Sequence, residues 1–83
     1  MDRTAQDAMK AAADKAEVSL SREDEDSIRA LAAELERPLE VVAENYGREL
    51  ARLRRDARVT AFLPIVVSRL VRRRSAEGRL TAA

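Results

Sequence analysis

The sequence predicts an all-α fold: a compact three-helix bundle preceded by a flexible, partly helical arm. Three observations favour this fold. Apolar residues recur at spacings of three and four, which is the period of an amphipathic helix. Helix start and stop signals divide the chain at Ser21, Pro38 and Gly78. The length of 83 residues allows one small domain and excludes barrels and doubly wound sheets.

Residues 1–20 are predicted to form a flexible arm rich in alanine and acidic residues. The stretch from Ala5 to Ala16 contains good helix formers, but Met9 is its one sizeable apolar residue. Alanine buries little surface, so the arm is expected to fray or to be helical only against a partner.

The first helix of the bundle is predicted to begin after Ser21. Ser21 can act as the N-cap, and Asp24 three residues later completes a variant of the capping box. The helix should end by Glu36, because the residue before Pro38 is disfavoured in the helical conformation. Its apolar face consists of Ile28, Leu31, Ala32 and Leu35.

The second helix is predicted to begin at Pro38, which suits a first helical position. Gly47 lies inside this helix and costs roughly 1 kcal/mol relative to alanine. It either marks the close approach of another helix or has no consequence. The apolar stripe consists of Leu39, Val42, Tyr46, Leu50, Leu53 and Ala57.

The third helix is predicted to be capped by Thr60, with Pro64 in its first turn, where a missing N–H does no harm. The alternative is one long helix from Pro38 to Arg74 that is kinked at Pro64; we favour a break at 57–60. Gly78 is a plausible stop signal. The predicted domain therefore covers residues 21–75, and residues 76–83 are expected to form a disordered tail.

The apolar arc of the third helix is unusually wide, at roughly 240°. Either this helix lies centrally against both others, or its far side meets another chain. A core this small rarely gives a free energy of unfolding above ~3–5 kcal/mol without a disulfide, a structural metal or oligomerisation. We therefore predict a homodimer, with candidate self-association residues Phe62, Ile65, Val67 and Val71.

The pattern of apolar and charged residues resembles a known family. The run Leu31-Ala32-Ala33-Glu34-Leu35 is followed by Pro38, Val42, Tyr46, Glu49-Leu50, Leu53, Ala57-Arg58-Val59, Phe62-Leu63-Pro64 and Arg69-Leu70-Val71-Arg72. Over residues 27–74 this is similar to a small bacterial family of unknown function, number 3562 among such families. The resemblance implies a compact stand-alone bacterial domain, and it supplies no activity, cofactor or catalytic residue.

Charge is divided unevenly along the chain. Residues 1–46 contain six basic and twelve acidic side chains, a net of −6, and residues 47–83 contain ten basic and three acidic ones, a net of +7. The basic end could contact phosphates of RNA or DNA, anionic membrane lipids or another acidic partner. The alternative is a solvated helix C-terminus whose cations favour the helix dipole and pair with the acidic helix. The candidate phosphate-binding residues are Arg69, Arg72, Arg73 and Arg74. Other arginines that could contact phosphate lie beyond this cluster and on the second helix with its following turn: Arg79, Arg48, Arg52, Arg54, Arg55 and Arg58.

The composition argues against several classes of function. There is no Cys, His or Trp, and there are one Phe and one Tyr. This removes thiolate metal sites and the commonest general base, and it makes base stacking unlikely. A DNA-reading helix-turn-helix is disfavoured, because Glu40 and Glu44 would face the phosphates. We expect no catalytic residue, no cofactor, no metal site and no small-molecule substrate.

The longest uncharged run, Val59 to Ser68, is about half a membrane span, and no signal peptide is visible. The sequence therefore predicts a cytoplasmic protein without membrane insertion. Its most favoured function is a non-catalytic protein–protein interaction module that self-associates through the third helix. The alternative is an accessory protein that binds nucleic-acid phosphates through its arginine-rich C-terminal end.

Overall fold

The computed structural model describes residues 3–56 and 63–80. It contains four α-helices in this part of the chain: α1 (Arg3–Ala16), α2 (Arg22–Leu35), α3 (Leu39–Arg55) and α4 (Leu63–Ala76). The all-α prediction is confirmed, but the count of three helices is wrong. None of these helices is both long enough and apolar enough to cross a membrane.

The additional helix is α1, which the sequence assigned to a flexible arm. It packs mainly on α3. Met9 is 1% exposed and joins the common core, and Ala12 and Ala13 are buried beside it. The prediction judged the arm by the size of its side chains, whereas small side chains are what let α1 approach α3 closely.

Gly47 lies at a close contact between α1 and α3. A Cβ atom on Gly47 would lie 3.3 Å from Cβ of Ala16 and 3.6 Å from the carbonyl oxygen of Ala12. Of the two interpretations of this glycine, close helix–helix packing is the one that the structure supports.

The predicted start of α2 is confirmed. The Asp24 backbone N–H donates to Oγ of Ser21 at 3.1 Å, and the Ser21 N–H donates to Oδ2 of Asp24 at 2.9 Å, which closes the capping box. The helix ends at Leu35, and Glu36 takes a left-handed conformation with φ of 52°. Pro38 follows as the N-cap residue of α3.

Asp24 also lies at the centre of a buried polar network. Its carboxylate is 2% exposed. The hydroxyl of Tyr46, in the middle of α3, donates to Oδ1 of Asp24 at 2.7 Å. Arg54, near the end of α3, has Nη2 4.0 Å from Oδ2 of Asp24, and its Nη1 donates to the carbonyl of Ser19 at 3.0 Å. One carboxylate thereby connects the start of α2, two turns of α3 and the link between α1 and α2.

The chain does not form one continuous helix from Pro38 to Arg74. Helix α3 ends at Arg55, and Asp56 is extended, with φ of −91° and ψ of 108°. Pro64 is the second residue of α4, where its missing N–H leaves no helical hydrogen bond unmade. The predicted break at 57–60 and the cap at Thr60 lie outside the described residues.

Helix α4 packs against both α2 and α3, and it ends in a Schellman turn. The N–H of Gly78 donates to the carbonyl of Ser75 at 3.0 Å, and that of Arg79 donates to the carbonyl of Arg74 at 2.7 Å. Gly78 has φ of +68°, as its role as stop signal requires.

The turn brings Leu80 back onto the core, where it is 9% exposed. Residues 77–80 therefore contribute a core contact although we expected them in a disordered tail, while residues 81–83 lie outside the described part. Core residues occur on both sides of the predicted boundaries at residues 20 and 75. Whether 21–75 folds as a separate unit stays a prediction.

Replacing Gly47 by leucine should separate α1 from α3. The new side chain has no space between α3 and Ala16, and the backbone of α1 cannot move aside without leaving the core. We expect Gly47→Leu to lose helical circular dichroism corresponding to the 14 residues of α1 and to become sensitive to proteases at residues 17–21. Glu40→Leu, an exposed site on the same helix, is the control. Unchanged helicity in Gly47→Leu would show that α1 is not docked as described.

The alkaline titration of Tyr46 should coincide with unfolding. Burial, and then the hydrogen bond to Asp24, raise the pKa of this phenol above its ordinary value, which is about 10. The unfolded chain therefore releases the proton first, so this contribution to stability is complete below pH ~10 and decreases as the pH rises further.

Tyr46 is the only tyrosine, so tyrosinate absorbance reports on it alone. We expect that absorbance and the loss of helical circular dichroism to change in one cooperative step above pH ~10. The urea-unfolded chain, as control, should titrate gradually near pH 10. A gradual titration there with the helices intact would contradict the buried Tyr46–Asp24 bond.

Candidate functional site

A cleft open to solvent lies between the C-terminal parts of α3 and α4, with a volume of about 530 Å³. Five arginines and two glutamates line it, which leaves three net positive charges. We call it the arginine cleft. Its arginines are Arg48, Arg52, Arg73, Arg74 and Arg79, and its carboxylates are Glu49 and Glu77.

Local structure explains why these arginines converge. Arg48 and Arg52 are four residues apart on α3, so they share a helix face. Arg73 and Arg74 lie in the last turn of α4, where the helix dipole favours cations. The Schellman turn at Gly78 reverses the chain and returns Arg79 to the same cleft.

Glu49 holds one arginine from each helix in place. Its side chain is 8% exposed. Oε2 accepts hydrogen bonds from Nη2 of Arg52 at 2.7 Å and from Nε of Arg52 at 3.2 Å. Oε1 lies 3.3 Å from Nε of Arg74. The buried carboxylate thus fixes the direction of two guanidinium groups before any ligand arrives, which lowers the entropy cost of binding one.

Glu77 pairs more loosely with the outer arginines. Its carboxylate lies 3.6 Å from Nε of Arg73 and 3.6 Å from Nη1 of Arg79. The side chains of Arg73 and Arg79 are 77% and 67% exposed. Exposed ion pairs contribute little free energy, so these two arginines can exchange Glu77 for another anion.

A second groove lies on the other flank of α3, between α1 and α3, with a volume of about 400 Å³. We call it the α1–α3 groove. Arg48 and Arg52 line it as well, and Lys15, Glu17 and Arg55 complete its charged lining. Beneath it, buried Glu44 forms ion pairs with Arg48 and with Lys15, whose Nζ is 3.9 Å from Oε1.

Most of the chain is similar to a known protein family. Residues 21–77, more than half of the chain, match the family described as a protein of unknown function, DUF3562. The chain belongs to this family. The match confirms the resemblance seen in the sequence. No curated protein and no solved structure matches the chain.

The family match covers most of the site of this DUF3562 chain, but not all of it. It runs from the N-cap of α2 to the residue after α4, so it contains Asp24, Tyr46 and Arg54 and all of the arginine cleft except Arg79. Helix α1, with Lys15, precedes it. The family description states no activity, so the function has to be argued from the site.

Two of the four predicted phosphate-binding arginines lie in the cleft. Arg73 and Arg74 line it. Arg72 points elsewhere: its Nε and Nη2 donate to Oε2 and Oε1 of Glu34 on α2, at 2.7 and 3.1 Å. These hydrogen bonds lower the pKa of Glu34 and raise that of Arg72. Arg69 is exposed and does not line the cleft.

The sequence identified Arg48, Arg52 and Arg79 among the arginines that could contact phosphate, but they were not among the four candidate residues. Arg52 is 21 residues before Arg73 in the sequence, and Arg48 is further away still. Only the packing of α3 on α4 brings them together. Two features of the sequence point to these residues. Arg48 and Arg52 are spaced by four on one helix, so they share a face, and Gly78 indicates a turn just before Arg79.

The predicted self-association residues differ in how far they are buried. Val67 and Val71 are fully buried, because α4 packs against α2 and α3 at once. This central packing was one of the two explanations for the wide apolar arc. Ile65 is 62% exposed, and Phe62 lies outside the described residues.

The described residues offer no other evident chemistry. No group of three or more potential metal-ligating side chains occurs among residues 3–56 and 63–80. Each buried side-chain nitrogen or oxygen in that part of the chain has a hydrogen-bond partner. The arginine cleft is therefore the site from which we argue a function.

Proposed function

We propose that the chain is a non-catalytic binding module that holds the phosphate backbone of a double-helical nucleic acid in its arginine cleft. The observation that carries the proposal is the convergence of five arginines, from two helices and a following turn, on one cleft with three net positive charges.

Arginine suits phosphate for a geometric reason. Its planar guanidinium can donate two parallel hydrogen bonds to two oxygens of one phosphate, and it stays charged at any physiological pH. Arg73 and Arg79 are largely exposed, while Arg52 and Arg74 are oriented by Glu49. The cleft thus combines two weakly paired arginines, Arg73 and Arg79, with two arginines whose direction the buried Glu49 fixes.

The double helix is favoured over a single strand. Binding of single strands without sequence preference relies on aromatic side chains on which bases stack. Among the described residues, the one aromatic side chain is that of Tyr46, which is fully buried against Asp24. A rigid backbone with closely spaced phosphates needs only the cations, so binding should show weak sequence preference.

The test is binding of labelled duplex DNA and of an RNA hairpin, measured by fluorescence anisotropy. We expect binding that weakens steeply between roughly 50 and 200 mM salt, because several counterions are released. The double variant Arg73→Glu/Arg79→Glu should lose at least about tenfold in affinity. Both side chains are exposed, so the fold should be retained.

Arg22→Glu/Arg37→Glu is the matched control. Both arginines are exposed and lie outside the cleft, and the change in net charge is the same. It should weaken binding much less. No binding at low salt, equal losses in both double variants, or preference for polyglutamate over duplex would overturn the proposal; the last result would indicate an acidic protein partner.

Self-association is a second candidate, favoured by one observation. Ile65, near the start of α4, is a large apolar side chain with 62% exposure, adjacent to half-buried Leu63, Pro64 and Val66. Contact between these patches of two copies would form a homodimer.

If the second candidate holds, light scattering coupled to size exclusion should show a dimer at high micromolar concentration, and Ile65→Glu should convert it to a monomer. Ala76→Glu, an exposed site at the other end of α4, should leave the dimer intact. A monomeric parent chain would rule this candidate out.

A further inference from the structure

The arginine cleft and the α1–α3 groove have a wall in common. Arg48 and Arg52 project from the face of α3 that separates the two, and they line both. A ligand that contacts this pair from the cleft therefore reaches the edge of the second groove. Lys15 and Arg55 stand on its far side.

We propose that the two grooves form one continuous binding track across α3, which extends the proposed function and rests on it. Its ligand is an extended nucleic-acid backbone of several phosphates rather than one phosphate group. We call this surface the basic track. It consists of the arginine cleft together with Lys15 and Arg55.

The charges along the track support an anionic occupant over its whole length. The two grooves together present seven cations. Their carboxylates are Glu17, Glu49 and Glu77, and Glu44 lies beneath. Seven cations against four carboxylates leave three net positive charges. Glu44 and Glu49 are 5% and 6% exposed, so the two buried carboxylates cannot present their charge to a ligand as the cations do.

The cations remain accessible while they are paired. Lys15 is 66% exposed at its side chain, Arg52 is 65% exposed and Arg48 is 45% exposed. Glu44 holds Lys15 and Arg48 from below, as Glu49 holds Arg52 from below. Lys15 lines the α1–α3 groove, and Arg48 and Arg52 line both grooves, so successive phosphates can be contacted on both flanks of α3.

Residues of three helices form the basic track, so its ligand has to be extended enough to contact all three. Lys15 belongs to α1, Arg48, Arg52 and Arg55 belong to α3, and Arg73 and Arg74 belong to α4. One phosphate can occupy one groove, whereas a duplex presents a charge about every 1.7 Å of its axis and can engage both. Helix α1 lies outside the family match, so Lys15 extends the site beyond the matched residues.

The test uses a neutral double variant, Lys15→Gln/Arg55→Gln, and a duplex of about two turns, roughly 20 base pairs. Glutamine avoids placing a new charge beside Glu44. Loss of two phosphate contacts should weaken binding roughly tenfold at low salt and reduce the slope of log affinity against log salt by about 2. Circular dichroism establishes that α1 stays helical.

Lys10→Gln/Arg22→Gln is the matched control, with the same residue types and charge change at exposed positions outside both grooves. It should leave the slope unchanged. Inorganic phosphate, which spans one groove only, should compete poorly with the duplex.

The outcomes separate the two proposals. If the parent chain binds no duplex, both fail. If the Arg73/Arg79 variant loses binding but Lys15→Gln/Arg55→Gln keeps the parental slope, the track is wrong and the cleft stands. A reduced slope in both variants, with the control unchanged, supports the track.

Discussion

The hydrogen bond between the Tyr46 hydroxyl and the Asp24 carboxylate is the contact on which the arrangement of the helices depends. A buried carboxylate is costly unless its oxygens are paired. Asp24 meets this requirement through three partners, which are Tyr46, the Ser21 N–H and Arg54. Because Arg54 also holds the Ser19 carbonyl, the start of α2, the rotation of α3 and the path of the link from α1 are fixed together.

The same use of buried acids recurs at the site. Glu44 and Glu49 are buried on α3. Their carboxylates form ion pairs with basic side chains of α1, α3 and α4. The uneven charge of the chain is thus only partly neutralised between helices, as in the Arg72–Glu34 pair. Arg48, Arg52 and Arg74 are instead held by carboxylates of α3 itself, and this leaves a positive cleft on a nearly neutral protein.

Local signals predicted much of the fold, and long-range packing accounts for the errors. The capping box at Ser21, the end of α2 before Pro38 and the stop at Gly78 depend on neighbouring residues and were predicted. The sequence predicted a partly helical arm but not the packing of α1 on α3, because that packing depends on Gly47, about thirty residues beyond Ala16 and Val18. Likewise Arg73 and Arg74 were identified as a cluster in sequence, whereas Arg48 and Arg52 join them only through the packing of α3 on α4.

The two ends of the basic track differ in the kind of cation that they present, with lysine at the α1 end and arginine elsewhere. Residues 47–83 contain ten arginines and no lysine. Arginine keeps its charge across the physiological pH range and is not a substrate for lysine acylation. Lys15 is the single lysine of the track, and acylation of its amine would remove one positive charge there. A covalent modification of lysine can therefore alter the α1 end of this surface while the charge of the arginine cleft stays constant.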